Sequence, residues 1–239
     1  MRHTGMEQQN NTIPQHIVLF LDGNRRWARE HGLPSLEGHR AGYENVLRLC
    51  DWCKDREIKV LTAYGFSTEN WNRPPEEVGY LMKLFEIGLS DKQNTEKFQK
   101  DGVRVRIIGQ KERLPLSLQK VIHEVEDATK KQSSLFLNLA VSYGGRWDIV
   151  QAVQKMMREG IQSEQVSEEL FEQYLSTANL PVPDFVVRVG GELRLSNFLL
   201  WQSAYAELYF SDKYWPDFGE QDFDEALAEY ARRQRRFGQ

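Results

Sequence analysis

Residues 16–27 read His-Ile-Val-Leu-Phe-Leu-Asp-Gly-Asn-Arg-Arg-Trp: an unbroken apolar run, then an acid, a glycine and two arginines. A run of that length without polar alternation suits a strand buried on both faces, the kind found in parallel sheets covered by helices. The pattern of His16–Leu21 recurs at Ile58–Phe66, Val103–Ile108, Leu135–Val141 and Phe185–Val189. Helix-period segments lie between these runs. In Gly42–Arg56 the residues Tyr43, Val46, Leu47, Cys50 and Cys53 share one face, as do Val78, Leu81, Met82, Phe85 and Leu89 in Pro75–Leu89. Similar periods fill Leu116–Thr129, Arg146–Met157, Ser167–Leu175 and Gln221–Arg233. Strand and helix in turn predict an α/β fold with a mostly parallel central sheet flanked by helices. No repeat or linker divides the chain, so one domain is expected over residues 16–239, preceded by a flexible polar tail over residues 1–15.

Composition bounds the function. The 239 residues are 40% hydrophobic, enough for a sizeable core. Lysine plus arginine number 31 against 35 acids, a formal charge of -4, which argues against a non-specific nucleic-acid binder. Phosphate chemistry must then use local arginine clusters. Cys50 and Cys53 lack a second pair or a nearby histidine for zinc and read as core, in keeping with a reducing compartment. The longest apolar runs fall far short of the roughly 20 residues of a membrane span. Met1–Asn11 has no apolar signal-peptide core, so a cytosolic location is expected.

In an open parallel sheet, ligands bind at the carboxyl ends of the strands. Those ends here carry Asp22-Gly23-Asn24-Arg25-Arg26-Trp27, Ser67-Thr68-Glu69-Asn70-Trp71-Asn72-Arg73, Tyr143-Gly144-Gly145-Arg146, and the run from Gly190 to Asn197 that contains Arg194, Leu195 and Ser196. Each exit holds glycine, arginine or both. Glycine lets an anion approach the backbone, and the guanidinium fork grips phosphate through paired hydrogen bonds. One Gly-Gly-Arg turn means little, but four such exits in register point to one site for diphosphate, with a magnesium ion. Asp22 reads as a ligand for a shared metal or anion, or as a helix N-cap. Ser67 and Asn70 are site residues or helix caps, and Trp27 and Trp71 are pocket residues or ordinary packing. His39 follows Gly38 at an expected helix start and either donates to phosphate or caps the helix. His3, His16, His31 and His123 read as structural. The phosphate loop, the dinucleotide fingerprint and the G-x-S-x-G elbow are all missing from the sequence.

Taken together, the segments H-I-V-L-F-L-D-G-N-R-R-W-A (16–28), G-H-R-A-G (38–42), F-S-T-E-N-W-N-R-P (66–74), Y-G-G-R-W (143–147) and R-V-G-G-E-L-R-L-S-N-F-L-L-W-Q-S-A-Y-A-E-L-Y-F (188–210) resemble the cis-prenyltransferases, the family of undecaprenyl diphosphate synthase. The match runs from His16 to Gly238. The resemblance implies a transfer in which isopentenyl diphosphate attacks an allylic diphosphate and a new cis double bond forms. It implies that Asp22 holds magnesium against the allylic diphosphate, which also meets Gly23, Asn24, Arg25, Arg26 and His39. It places isopentenyl diphosphate against Arg188, Arg194, Leu195 and Ser196, with Glu207 as a second magnesium contributor. Ser67, Thr68, Glu69 and Asn70 would line the gap between the substrates, Asn70 helping to remove the proton. Trp27, Trp71 and Arg73 would complete the pocket.

The family further implies an apolar tunnel beside Pro75–Leu89, formed by Val78, Leu81, Met82 and Phe85, which are equally compatible with plain core. It implies a homodimer through Phe198, Leu199, Leu200, Trp201 and Tyr205, and an Arg236-Phe237-Gly238 tail that reaches the partner's site unless it is a frayed helix end. It also implies work at a membrane surface, where a long polyprenyl product would reside. Departures stand at Ser35, where relatives carry an arginine on the allylic diphosphate, at Arg25 in place of a common glycine, and at Val189, Leu193 and Ser142. They bear on primer choice, metal affinity and product length. A short-chain or irregular condensation remains open, and so does a catalytically silent partner subunit, although Asp22, Arg26, Arg188 and Arg194 are all present.

Overall fold

β1 (His16–Phe20) is buried at every residue and runs parallel to β2 (Val60–Ser67) on one side and β5 (Phe185–Arg188) on the other. In this computed structural model, which describes residues 13–233, the sheet has six strands in the order β3-β4-β2-β1-β5-β6. The others are β3 (Val103–Ile108), β4 (Leu135–Tyr143) and β6 (Glu207–Phe210), and every ladder is parallel. Leu19 lies opposite Ala63 and Val187, so Asp22, Ser67 and Arg188 leave the sheet at the same edge. The polar tail up to residue 12 and Arg236-Phe237-Gly238 fall outside the described residues.

Alternation along β1 divides the core. Ile17 and Leu19 point to a large cluster under the helices α2 (Ser35–Asp55), α3 (Pro75–Ser90), α5 (Leu116–Thr129) and α8 (Glu220–Arg232). Val18 and Phe20 point to the opposite face, with Tyr143, Phe198 and Leu199. Phe198 and Leu199 are 1% and 0% exposed, and Phe198 stacks on Tyr64 at 3.9 Å. Their apolar character therefore belongs to the core and not to a subunit face, which corrects that expectation; Leu200 and Trp201 are half-buried and Tyr205 is exposed. Cys50 and Cys53 are buried free thiols whose pKa is pushed up by desolvation, so they stay un-ionised, as expected of core residues.

Three elements go beyond the sequence reading. α1 (Asn24–Glu30) begins directly after the first loop. α4 (Lys92–Lys100) buries one residue, Phe98, so its apolar period is too sparse to register. β6 is a half-buried edge strand of four residues. α6 (Gly145–Arg158) and α7 (Glu168–Glu172) fall where helical periods predicted them.

Candidate active site

The chain leaves β1 for β2 on one side of the sheet, while β5 and β6 continue on the other, so the β1/β5 edge is a topological switch point. Asp22 and Arg188 meet there. The Asp22 carboxylate accepts from Arg188 Nε at 3.0 Å and lies 2.8 Å from its Nη2. Arg188 is 4% exposed, with its guanidinium 4.6 Å over the Phe20 ring. It also donates to Ser196 Oγ at 2.8 Å and to the Arg194 carbonyl, which draws the 190–197 loop onto the strand end. Asp22 is not a helix cap: the residue before α1 is Gly23, and Asp22 is committed to Arg188. Gly23 has φ +100, and a side chain there would come within 2.6 Å of the Tyr214 ring, so only glycine turns the chain at this point.

Carboxylates gather the remaining cations. Glu192 bridges Arg26 at 3.5 Å and Arg194 at 2.5 Å. Glu77, in the first turn of α3, collects His39 at 3.3 Å, Arg73 at 3.1 Å and Arg25 at 3.4 Å, although it is only 10% exposed. Because a carboxylate can only accept, His39 Nε2 carries the donated proton. Burial holds His39 below the ordinary imidazole value; the bond to Glu77 opposes this, and the charges of Arg73 and Arg25 reinforce it. The imidazole is therefore neutral near pH 7.

Ser67 and Asn70 cap each other, as one of the two readings has it. Asn70 N–H donates to Ser67 Oγ, Ser67 N–H donates to Asn70 Oδ1, and both residues line the cleft. Glu69 sits between them. Burial pushes its pKa up, but hydrogen bonds from Asn197, its own backbone, Ser67 and Thr68 outweigh that and hold it below the ordinary carboxylate value.

A cavity of about 1380 Å³ joins these groups. Its mouth holds Asp22, Gly23, Asn24, Arg25, Arg26, Ser35, His39, Ser67, Glu69, Asn70, Arg73, Arg188, Arg194 and Ser196. Away from the strand exits its lining includes the apolar residues Val46 and Leu47 of α2, Leu84 and Phe85 of α3, and Val105, Leu137 and Leu139 of the sheet. Of the four tunnel candidates, Leu81 and Phe85 line the cavity, whereas Val78 and Met82 turn into the core and a separate shallow groove; Leu84 and Gly88 also line it.

Five expected site residues are not among those lining the cleft. Trp27 donates to Asp217 at 2.7 Å and stacks on His31. Trp71 donates to Ser142 at 2.9 Å and packs edge-on against Phe66. Leu195 packs into the core beside Phe198, and the Thr68 hydroxyl donates to Glu69 at 3.1 Å. Glu207 opens β6 opposite Phe185, at the amino end of the sheet, and pairs with Arg233 at 3.3 Å. The chain therefore does not bring Glu207 to Asp22. Conversely, Asn197 lines the cleft, and Glu77 and Glu192 lie outside its lining but pair with cations that line it; the sequence marks none of the three as a site residue. Glu77 had the appearance of an ordinary acid in a helix first turn.

A parallel α/β sheet with a cationic cup at its switch point and an apolar cavity beneath describes an enzyme that handles diphosphate headgroups on hydrocarbon chains, a prenyltransferase. The chain belongs to the undecaprenyl diphosphate synthase family: residues 20–238 match the family model described as "Putative undecaprenyl diphosphate synthase". It is 44% identical over 234 residues to a farnesyl-diphosphate-specific ditrans,polycis-undecaprenyl-diphosphate synthase of Legionella pneumophila, covering 96% of this chain and 98% of the relative. It is 47% identical over 228 residues to an isoprenyl transferase of Thermotoga maritima, covering 95% and 97%. Its fold matches lavandulyl diphosphate synthase from Lavandula x intermedia, solved with dimethylallyl diphosphate, with a TM-score of 0.91 at 38% identity over 96% of this chain and 100% of that one.

Proposed function

We propose that this chain condenses isopentenyl diphosphate with an allylic diphosphate in the cis sense, releasing diphosphate and extending a polyprenyl carrier precursor. The observation that carries the reading is the continuity of the Asp22–Arg188–Ser196 cup with the apolar cavity. The allylic carbon–oxygen bond breaks with its electrons leaving on diphosphate, so the dominant cost is charge on that group. The backbone N–H groups of Gly23 and Asn24 and the side chains of Arg25, Arg26, His39 and Arg73 hold its oxygens. Arg188, Arg194 and Ser196 hold isopentenyl diphosphate. Ser67 and Asn70, locked by their mutual hydrogen bonds, orient the attacking double bond and the departing proton. The growing hydrocarbon enters the apolar cavity, whose volume exceeds the roughly 300–1,000 Å³ of ordinary small-molecule pockets.

Magnesium fits this donor set. Among the described residues no three acid, histidine or cysteine side chains converge into a metal cage. Magnesium keeps several waters and takes one or two carboxylates plus substrate phosphates, which suits Asp22 alone. When bound it supplies positive charge against the leaving diphosphate. Glu207 is not offered as its ligand.

The proposal extends to a homodimer in the cytoplasm that works at a membrane surface. Val150, Val153 and Met157 form an exposed apolar row on α6, which supports a subunit contact. No described helix is long and apolar enough to cross a membrane. The likeness to lavandulyl diphosphate synthase favours a second reading, a short-chain or irregular condensation at the same cup. Labelled isopentenyl diphosphate offered with dimethylallyl, geranyl and farnesyl diphosphates separates the two. Chain extension from farnesyl diphosphate, resolved by thin-layer chromatography, is expected; ten-carbon products alone would establish the second reading, and no incorporation with any primer would leave a silent partner subunit.

A further inference from the structure

Asn197 joins three strand exits. Its Nδ2 donates to Glu69 Oε1 at 2.8 Å, on the loop after β2. Its Oδ1 accepts from Arg146 N–H at 2.9 Å, and its backbone carbonyl accepts from Gly145 N–H at 2.6 Å, both at the start of α6 after β4. It follows directly on Ser196, which holds Arg188, and it adopts a left-handed backbone with φ 64, a conformation asparagine tolerates better than most residues. Gly144 makes room for it. The backbone there is extended, so any residue type suits the angle, but a Cβ would come 2.7 Å from Asn197 Nδ2 and 2.6 Å from Thr68 Oγ1.

We propose that Asn197 is a positioning residue that fixes the isopentenyl-diphosphate loop, Arg188 to Ser196, against the Glu69 side of the cup and so sets the separation of the two substrate headgroups. The proposal rests on the functional reading above. The β2 and β4 exits leave paired strands that end at Ser67 and Tyr143, while the loop after β5 pairs with neither, and one side chain and its carbonyl tie that loop to both; the amide is the only group in the tie that offers a donor to one loop and an acceptor to another. Fixed loops matter here because a displacement of the reacting groups by about 1 Å is enough to cost orders of magnitude in rate.

The test uses Asn197→Asp, which keeps shape and the acceptor for Arg146 but replaces the donor to Glu69 with a second carboxylate. The KM for isopentenyl diphosphate is expected to rise at least tenfold while the KM for the allylic primer stays within twofold, with a fall of only a few degrees in melting temperature, since losing a hydrogen bond to a charged group is worth roughly that factor. Asn197→Asp combined with Glu69→Gln exchanges donor and acceptor, and its isopentenyl diphosphate KM is expected to return to that of Glu69→Gln alone. Gly144→Ala, which displaces the amide without altering it, should reproduce the single variant. Unchanged KM values in Asn197→Asp, an equal rise in both with a lower melting temperature, or no recovery in the double variant would overturn the assignment. Wild-type turnover keeps the two readings apart: a wild-type chain that incorporates no label sinks the functional reading. Isothermal titration with inorganic pyrophosphate then tests the clamp, since weaker binding by Asn197→Asp upholds it and equal binding removes it.

Discussion

The Asp22 carboxylate and the Arg188 guanidinium face each other at 2.8 Å across the β1/β5 edge, one of them 37% exposed and the other 4%. A buried guanidinium with one open-sided acid beside it is arranged to exchange partners when an anion and a cation arrive together. Asp22→Asn keeps the hydrogen-bonding shape and removes the charge. We expect kcat to fall by about 10²–10³-fold, the scale of losing one preorganised charge-stabilising group. Stability should change by no more than about 1 kcal/mol, because the carboxylate is part-exposed and its pairing energy is screened. Chelation of magnesium should abolish wild-type turnover reversibly. Steady-state kinetics across a magnesium titration check both, and full activity of Asp22→Asn with an ordinary metal requirement would remove Asp22 from the centre of the mechanism.

Glu77 gathers His39, Arg73 and Arg25 from three different elements onto one carboxylate. Glu77→Gln retains one acceptor and loses the charge that holds the three together. The allylic-diphosphate KM should rise about tenfold, the scale of one lost hydrogen bond to a charged group, while the isopentenyl diphosphate KM is unaffected. Competition by inorganic pyrophosphate against each substrate in turn measures this. A fall in the allylic KM would mean instead that Glu77 competes with the substrate for its cations.

The sheet was legible because its inner strands are buried on both faces, and an unbroken run such as Ile17-Val18-Leu19-Phe20 has few other readings. The cationic rim was legible because four strand exits that carry glycine or arginine recur at one edge of the sheet, more than isolated turns require. The acids that organise those cations were not. Arg73 and Arg194 lie close to Glu77 and Glu192 along the chain, but Arg25, His39 and Arg26 reach the two acids from other segments at 3.3–3.5 Å, and nothing in the local sequence signals it. For Trp27 and Trp71, read as pocket residues or ordinary packing, the structure shows the packing. Their indole N–H groups find Asp217 and Ser142, partners remote in sequence that fix them as packing. Glu207 shows that a residue within a site motif need not reach the site, because β6 returns to the amino edge of the sheet before it begins.

Val105 lies on β3 beneath the inner wall of the cavity, at 2% exposure. A larger side chain there projects into open volume, so Val105→Phe should cost no more than about 1–3 kcal/mol, the range for overpacking. It should shorten the chain that the cavity accepts. Products extended from farnesyl diphosphate and separated by reversed-phase thin-layer chromatography are expected to shift to fewer isoprene units with the first condensation rate retained. An unchanged product distribution would place the hydrocarbon somewhere other than this cavity.

His16 supplies a pH-dependent stability term remote from the chemistry. It is fully buried, with Nδ1 2.7 Å from the Pro181 carbonyl and Nε2 2.8 Å from Thr62 Oγ1. Burial lowers its pKa from 6.5 to about 4, against the opposing effects of the Pro181 carbonyl and the Asp184 charge. The unfolded chain therefore binds a proton below pH 6.5 that the folded chain refuses until about pH 4. Stability from this group is complete above pH 6.5 and is lost as pH falls towards 4, by about 3 kcal/mol in total. His16→Gln removes the titration at the cost of a poorer fit, so it should be less stable than wild type at pH 8 and lose less on acidification. Urea unfolding at pH 8, 6 and 4.5 should show the two stabilities converging as pH falls. Parallel lines would mean that His16 is protonated in the fold, and burial would then not be what sets its charge.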